Sequence, residues 1–137
     1  LGGNYLMHVQ YDTPNTPVSL TMENCIFSSR GPGATIFLAD AVTAAIGWNL
    51  FYFPGSDSVV EKGGVVYDST HLDALGAGNR YGDPLFVQTA FGATGNYHLQ
   101  SGSPAIDQGT ATGAPQTDLD GVQRPQGSGV DMGAYER

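Results

Sequence analysis

The chain contains few of the residues that typify several common classes of protein. One of its 137 residues is cysteine, so an internal disulfide is impossible and cysteine usage does not indicate secretion. Five residues are Lys or Arg against 13 Asp or Glu, which gives a formal net charge of −8. Nucleic acids and anionic membrane surfaces are bound by clustered positive charge. The composition therefore predicts no nucleic-acid partner and no electrostatic attraction to such membranes.

Long apolar runs are also absent. No stretch approaches the ~20 apolar residues that span a bilayer, so no membrane insertion is expected. Leu1 does not begin a recognisable signal peptide, and we expect a mature form, a fragment or a cytosolic protein. Hydrophobic residues still make up 40% of the chain, which predicts one folded domain with a core rather than disorder.

Short alternating runs separated by turn residues dominate the first 82 residues. Val18, Leu20 and Met22, for example, alternate with polar residues, and Gly63-Gly64 separates two later runs. This pattern predicts short β-strands joined by turns. The stretch 38–46 instead has helical propensity. We interpret it as part of the strand region, with room for one helical turn inserted in a loop.

One internal repeat is visible. Asn24-Cys25-Ile26-Phe27 recurs as Asn49-Leu50-Phe51-Tyr52, which begins 25 residues later. Repeats of this length are typical of solenoids, in which each strand pairs with its copy in the next coil. Asn24 and Asn49 are therefore predicted to occupy equivalent corners of adjacent coils and to hydrogen-bond along the stack.

The last 55 residues carry five short motifs in a fixed order: Asp83-Pro84-Leu85-Phe86-Val87, Asn96-Tyr97-His98-Leu99-Gln100, the segment 102–109, Asp118-Leu119-Asp120-Gly121 with Arg124-Pro125, and the segment 130–136. This string resembles the C-terminal end of bacterial cell-surface proteins with right-handed parallel β-helix repeats, often called choice-of-anchor Q domain proteins. The resemblance implies an all-β fold, a short right-handed parallel β-helix, and an extracellular or cell-surface location.

The prediction divides one structural domain into two parts. Residues 1–82 form about three β-helix coils, and residues 83–137 form an irregular C-terminal cap over the end of the solenoid. Within the cap, the segment 103–109 predicts a single helical turn, because Ser, Pro and Gly suit its cap, first and stop positions. Asp120-Gly121 predicts a tight turn. Three apolar residues are expected to dock the chain end onto the last coil: Val130, Met132 and Tyr135.

Calcium is the one metal that the sequence suggests. Asp118-x-Asp120-Gly121 is similar to the start of a calcium loop, and Asp131 is a candidate third ligand from a neighbouring strand. The usual later Glu is missing, since Val122 and Gln123 follow. The alternative is a turn whose Asp side chains bond their own backbone, with no cofactor at all.

Other candidates for chemistry are weaker. Cys25 lacks a basic partner and is interpreted as a small buried hydrophobe rather than a nucleophile. His8, His71 and His98 lack metal-ligand spacing. The basic residues Arg30, Lys62 and Arg80 form no recognisable acid–base cluster of the kind used by polysaccharide lyases. Most of the larger aromatics are expected in the core, although some are available for a sugar-binding strip: Trp48, Tyr52, Phe53, Tyr67 and Tyr81.

These observations predict a non-catalytic extracellular β-solenoid module that supports adhesion or end-to-end assembly. Nothing in the segment 1–4 is typical of an N-terminal cap, so the first coil is expected to expose apolar interior and unpaired strand edge. The expected partners at that edge are another copy of the chain or upstream β-helix coils, with cell-surface glycans as further candidates. The alternative is the C-terminal part of a carbohydrate-active β-helix enzyme or a glycan-binding module.

Overall fold

A computed structural model describes residues 4–10, 17–90 and 94–137. This part of the chain is all-β, as predicted, and its one helical element is the short 3-10 helix Leu72–Ala74. No helix in the described ranges is long and apolar enough to cross a membrane. In chain order the strands are β1 Asn4–Val9, β2 Val18–Glu23, β3 Ile26–Ser28, β4 Ala34–Leu38, β5 Val42–Gly47, β6 Leu50–Tyr52, β7 Val60–Lys62, β8 Val65–Tyr67, β9 Arg80–Tyr81, β10 Phe86–Gln88 and β11 Asn96–Leu99.

The strands before residue 82 pair in parallel with the strand three places further along the chain. β1 pairs with β4 and β4 with β7, β2 pairs with β5, and β3 pairs with β6. β6 in turn pairs with β9, which gives a second three-strand parallel run. We call β1, β2 and β3 the first layer, and β4, β5 and β6 the second layer.

The register of these pairs corrects the predicted repeat by one residue. Ile26 pairs with Leu50 and Phe27 with Phe51, so equivalent positions lie 24 residues apart rather than 25. Asn49 therefore lies beside Cys25, and its side-chain oxygen accepts the Cys25 backbone N–H at 3.0 Å. The second-layer equivalent of Asn24 is Trp48, and both residues have positive φ, 54° and 50°. The predicted Asn24–Asn49 pairing is wrong.

A true asparagine pair does exist one layer further on. The Asn49 backbone N–H and its side-chain amide both donate to the Asn79 side-chain oxygen, each at 3.2 Å. Asn49 is fully buried and also donates to the carbonyls of Met22 and Gly47. The prediction that asparagine bonds along the stack is thus correct for Asn49, with Asn79 as its partner.

The interior is most completely buried in the second layer. Ile36, Leu38 and Phe51 are inaccessible to solvent, and Phe51 stacks on Phe27 of the first layer with ring centroids 5.3 Å apart. Their counterparts in the first layer are only partly buried: Met7, Val9, Val18, Leu20 and Phe27. Burial therefore decreases toward the first layer.

The other end of the stack is closed differently. β8 folds back and pairs antiparallel with β7, and the turn between them is Gly63-Gly64 with both φ values positive. A two-residue turn of this kind matches the twist of a hairpin. The 3-10 helix then places Leu72, which is 3% exposed, against the core. No third strand joins β2 and β5 among the described residues.

The stretch 38–46 contains no helical turn. Leu38 ends β4 and Val42 begins β5, and the Val42 N–H donates to the Ala39 carbonyl across the tight connection. Leu38, Val42 and Ile46 all enter the core, so packing outweighs the helical propensity of the intervening alanines.

The segment after residue 82 is irregular except for the antiparallel pair β10–β11. Its apolar residues Leu99, Ala105 and Met132 form a second buried cluster with Leu50 of β6, and Ile26 and Trp48 pack against that cluster. Leu50 and Ile26 lie on the outer face of the β3–β6–β9 sheet, opposite Phe51 and Phe27. The C-terminal segment therefore covers a side of the stack up to the first layer, whereas the prediction placed it over the last coil.

Two predicted turns in this segment are present in modified or complete form. At Ser103 the side-chain oxygen accepts the Ala105 N–H at 3.2 Å, but the chain forms a hydrogen-bonded turn and not a helical one, because Asp107 follows with φ 59°. Gly121 has φ 82° and donates to the Asp118 carbonyl, which confirms the tight turn there.

Candidate functional site

A groove of about 660 Å³ opens between the first layer and the C-terminal segment. One wall is the segment 24–28, which contains β3, and the other consists of residues 133–135 with Phe86, Tyr97 and Leu119. Phe86 and Tyr97 meet edge to face with ring centroids 5.3 Å apart. No charged side chain lines the groove among the described residues. Its chemistry suits an apolar occupant.

Asn24 fixes the two walls to each other. Its left-handed conformation ends β2 and turns the chain into β3. The side-chain amide exchanges two hydrogen bonds of 2.8 Å with the backbone of Thr110, and the Asn24 carbonyl accepts the Gly133 N–H at 2.7 Å. Asn24 is therefore structural, as predicted, but it binds the C-terminal segment rather than Asn49.

The floor of the groove includes an open strand edge. The Leu50 N–H donates to the Cys25 carbonyl, and the Ser29 N–H donates to the Tyr52 carbonyl. Because hydrogen-bonding direction alternates along a parallel strand, the backbone groups of Ile26 and Ser28 point to the opposite edge. Among the described strands, β3 pairs only with β6. The groove therefore offers both apolar walls and unpaired backbone groups.

Cys25 lines this groove but has the environment of a structural residue. Its thiol donates to the Glu23 carbonyl at 3.1 Å, and burial raises its pKa above the usual value. A raised pKa keeps the group a thiol and lowers its nucleophilicity at neutral pH. The interpretation of Cys25 as a small hydrophobe agrees with this position.

The three candidate calcium ligands are engaged in separate backbone contacts. Asp118 is buried, and one of its oxygens accepts the N–H groups of Asp120 and Val122 while the other accepts that of Glu136. Asp131 accepts from the backbone of two other residues, Asp107 and Arg137. No group of three or more His, Cys, Asp or Glu in the described ranges is placed to hold a metal ion.

Asp120 has a different partner, His98. Its carboxylate lies 2.8 Å from His98 Nε2, while Nδ1 lies 2.6 Å from the Asn96 side-chain oxygen. The imidazole also stacks on Tyr135 with ring centroids 3.9 Å apart. His98 thus connects β11 to the 118–121 turn and to the chain end. His71 bonds to Asp68 in an exposed turn far along the chain.

The centre of the C-terminal segment is a buried ion pair that the sequence gave no reason to expect. Arg124 Nη1 lies 2.8 Å from Glu136 Oε1, and the two side chains are 5% and 0% exposed. The guanidinium also donates to the carbonyls of Asp131 and Gly133. Glu136 accepts the backbone N–H groups of Asp131 and Gln126. This network holds residues 133–135, and hence one wall of the groove, in place.

The remaining candidates lie apart from the groove. Arg30 follows β3, Lys62 ends β7 and Arg80 begins β9, so they share no strand. Phe53 is fully buried, and the half-buried Trp48 ring occupies the space that the side chain of any residue other than glycine at position 78 would need. Tyr52 and Tyr81 lie 6.1 Å apart at a tilt of 56°, and Tyr67 packs on the core.

Two of the acids should give stability opposite dependences on pH. Burial acts to raise the pKa of Asp118, but the hydrogen bonds from Glu136, Val122 and Asp120 outweigh it, so the pKa is lowered. Burial, helped by the charge of Glu136, raises the pKa of Asp131. A carboxyl group with a lowered pKa stabilises the fold above its unfolded pKa of about 3.9, and this contribution is lost as the pH falls through the folded value. A group with a raised pKa contributes most at low pH and loses that contribution as the pH rises.

We therefore expect the stability gap between the parent and D118N to widen from pH 3 to pH 6, roughly the range around the unfolded pKa. The gap between the parent and D131N should change in the opposite direction over the same range. Urea unfolding at a series of pH values measures both. Parallel pH profiles for the two variants would contradict the assigned environments.

Comparison of the chain with protein-family models, curated proteins and solved structures found no match.

Proposed function

We propose that the chain is a short right-handed parallel β-helix and serves as a non-catalytic structural module. Three observations support the solenoid: parallel partners recur at a spacing of 24 residues, inward and outward faces stay in register, and Asn49 bonds along the stack. The motif string at the C-terminal end, similar to that of bacterial cell-surface β-helix proteins, supports an extracellular or cell-surface location.

The proposed role is adhesion or end-to-end assembly through the first layer. The observation that carries it is the decrease in burial: Leu38 is inaccessible, whereas its first-layer partner Val9 is only partly buried. β1 and β3 are also edge strands of their sheets among the described residues. Such an edge is a template for pairing with another strand. Burying the open apolar surface adds roughly 25 cal/mol per Å² to that pairing.

Self-association of the purified chain tests this role. We expect oligomers whose size grows with protein concentration in sedimentation velocity. Leu20→Lys places a charge on the half-buried inward face of β2 and should leave monomers, because an unpaired charge would be desolvated in the contact. Its neighbour Thr21 is exposed, so Thr21→Lys is the matched control and should assemble like the parent. A parent chain that remains monomeric at high micromolar concentration would contradict the assembly role.

A further inference from the structure

Two edge strands with complementary surfaces lie at opposite ends of the stack. β3 is the first strand of the sheet β3–β6–β9, and β8 is the last strand of the sheet β1–β4–β7–β8. β3 is open on the first-layer side, and β8 is open on the side away from β7. A contact between them cannot form within one stack but can join two copies.

β8 presents apolar residues to solvent. Val65 and Val66 are 53% and 55% exposed, which is unusual for neighbouring valines in a strand. Val66 pairs with Glu61 and Val60 with Tyr67, so Val66 points away from the side on which Val60 is buried. The exposed face of β8 is therefore the outer face of its sheet.

The groove beside β3 lies on the corresponding outer face. Ile26, which packs on the Leu50 cluster, is on that face, whereas Phe27 points into the interior. One layer down, Leu50 occupies the equivalent outward position and is fully buried by the C-terminal segment. The groove is the next place in this column, and an apolar residue on a strand added above β3 would fill it.

We propose that β8 of one copy adds to β3 of the next, with Val66 seated in the groove. This inference rests on the proposed function and names the two surfaces that meet. The backbone groups of Ile26 and Ser28 pair with those of β8, and the apolar walls receive the valine. Neither β8 nor the groove lining carries a charge, so no ion is buried unpaired.

The contact is heterologous, because the surface used on one copy differs from that used on its neighbour. Repetition then gives an open helical filament unless the rotation between copies closes a ring. β3 and β8 belong to different sheets, so each step combines a translation with a rotation about the stack axis.

Two variants remove one surface each. Ser28→Pro deletes the N–H that faces the open edge, and proline is tolerated on the solvent side of an edge strand. Val66→Asp leaves β3 intact and places a carboxylate in the apolar groove of the neighbour. Val87→Asp alters a valine on β10 that is 51% exposed, and it is the matched control. Circular dichroism melts verify that all three variants fold.

In sedimentation velocity we expect S28P and V66D to be monomeric when alone, while V87D assembles like the parent. An equimolar mixture of S28P and V66D should form a heterodimer and nothing larger, since only one productive contact remains. A parent chain that assembles together with fully assembling S28P and V66D would overturn this inference and leave the proposed function standing. Loss of assembly in S28P alone, with V66D unaffected, would assign the groove to β3 of a second copy and also overturn it. A monomeric parent would contradict both.

Discussion

Replacing Arg124 by methionine should destabilise the C-terminal segment by about 3–5 kcal/mol, the usual cost of breaking a buried ion pair. The substitution leaves Glu136 inaccessible to solvent and without its 2.8 Å partner. It also removes the donors to the carbonyls of Asp131 and Gly133. Because small domains have a total stability of about 5–15 kcal/mol, the loss is a large fraction of the whole. Urea unfolding followed by tyrosine fluorescence measures it.

Companion variants separate the charge from the shape of the side chain. Arg124→Lys keeps the positive charge but lacks the planar fork that reaches several acceptors, so an intermediate loss is expected. The double variant R124M/E136M removes both charges together and should recover part of the stability, because no unpaired charge stays buried. Recovery should be incomplete, since Glu136 also accepts two backbone N–H groups. An R124M protein that unfolds like the parent would show that the pair is not buried in solution.

Replacing Asn49 by alanine should cost about 3 kcal/mol, because an unsatisfied buried polar group costs roughly 1–3 kcal/mol and several are created. The Cys25 N–H loses its acceptor, and the Met22 and Gly47 carbonyls lose their donor. All of these groups lie at the corner where the first and second layers meet. Unlike Arg124, Asn49 stabilises the stacked strands themselves, and its loss should lower the melting temperature of the whole chain.

Asn24→Ala is the matched control for that experiment. Asn24 is half-buried, and its side chain joins the corner to Thr110 rather than to another layer. We expect a loss of about 1 kcal/mol, the net value of typical hydrogen bonds. Thermal melts of both variants compare the two positions directly. Equal losses at Asn24 and Asn49 would favour the 25-residue repeat over the observed 24-residue register.

Local patterns sufficed for the all-β class, for most strands and for the Asp118–Gly121 turn. Alternation of apolar and polar residues is a local signal, and so is an Asp-Gly turn. The repeat was misplaced by one residue because Trp48 occupies the left-handed corner that Asn24 occupies in the first layer. A bulky residue is rare in that conformation, and it fits here because Gly78 leaves room for its ring. No sequence rule indicates such a compensation in advance.

The groove and the ion pair were beyond reach for a related reason. Arg124 and Glu136 lie in irregular chain, where no periodicity predicts which side chains meet. The acids Asp118, Asp120 and Asp131 were identified as a group from their spacing, yet they bond to different partners. The groove depends on residues from both halves of the chain that only the packing of the C-terminal segment brings together.

Amide hydrogen exchange as a function of protein concentration tests most directly whether the first layer is an open, assembling edge. The amides of Ile26 and Ser28 face that edge, while the Leu50 amide is bonded to Cys25 within the stack. We expect Ile26 and Ser28 to exchange rapidly in dilute solution and to become protected as the concentration rises, with Leu50 protected throughout. Protection of Ile26 and Ser28 already at the lowest concentration, or rapid exchange at every concentration, would contradict the open and assembling first layer.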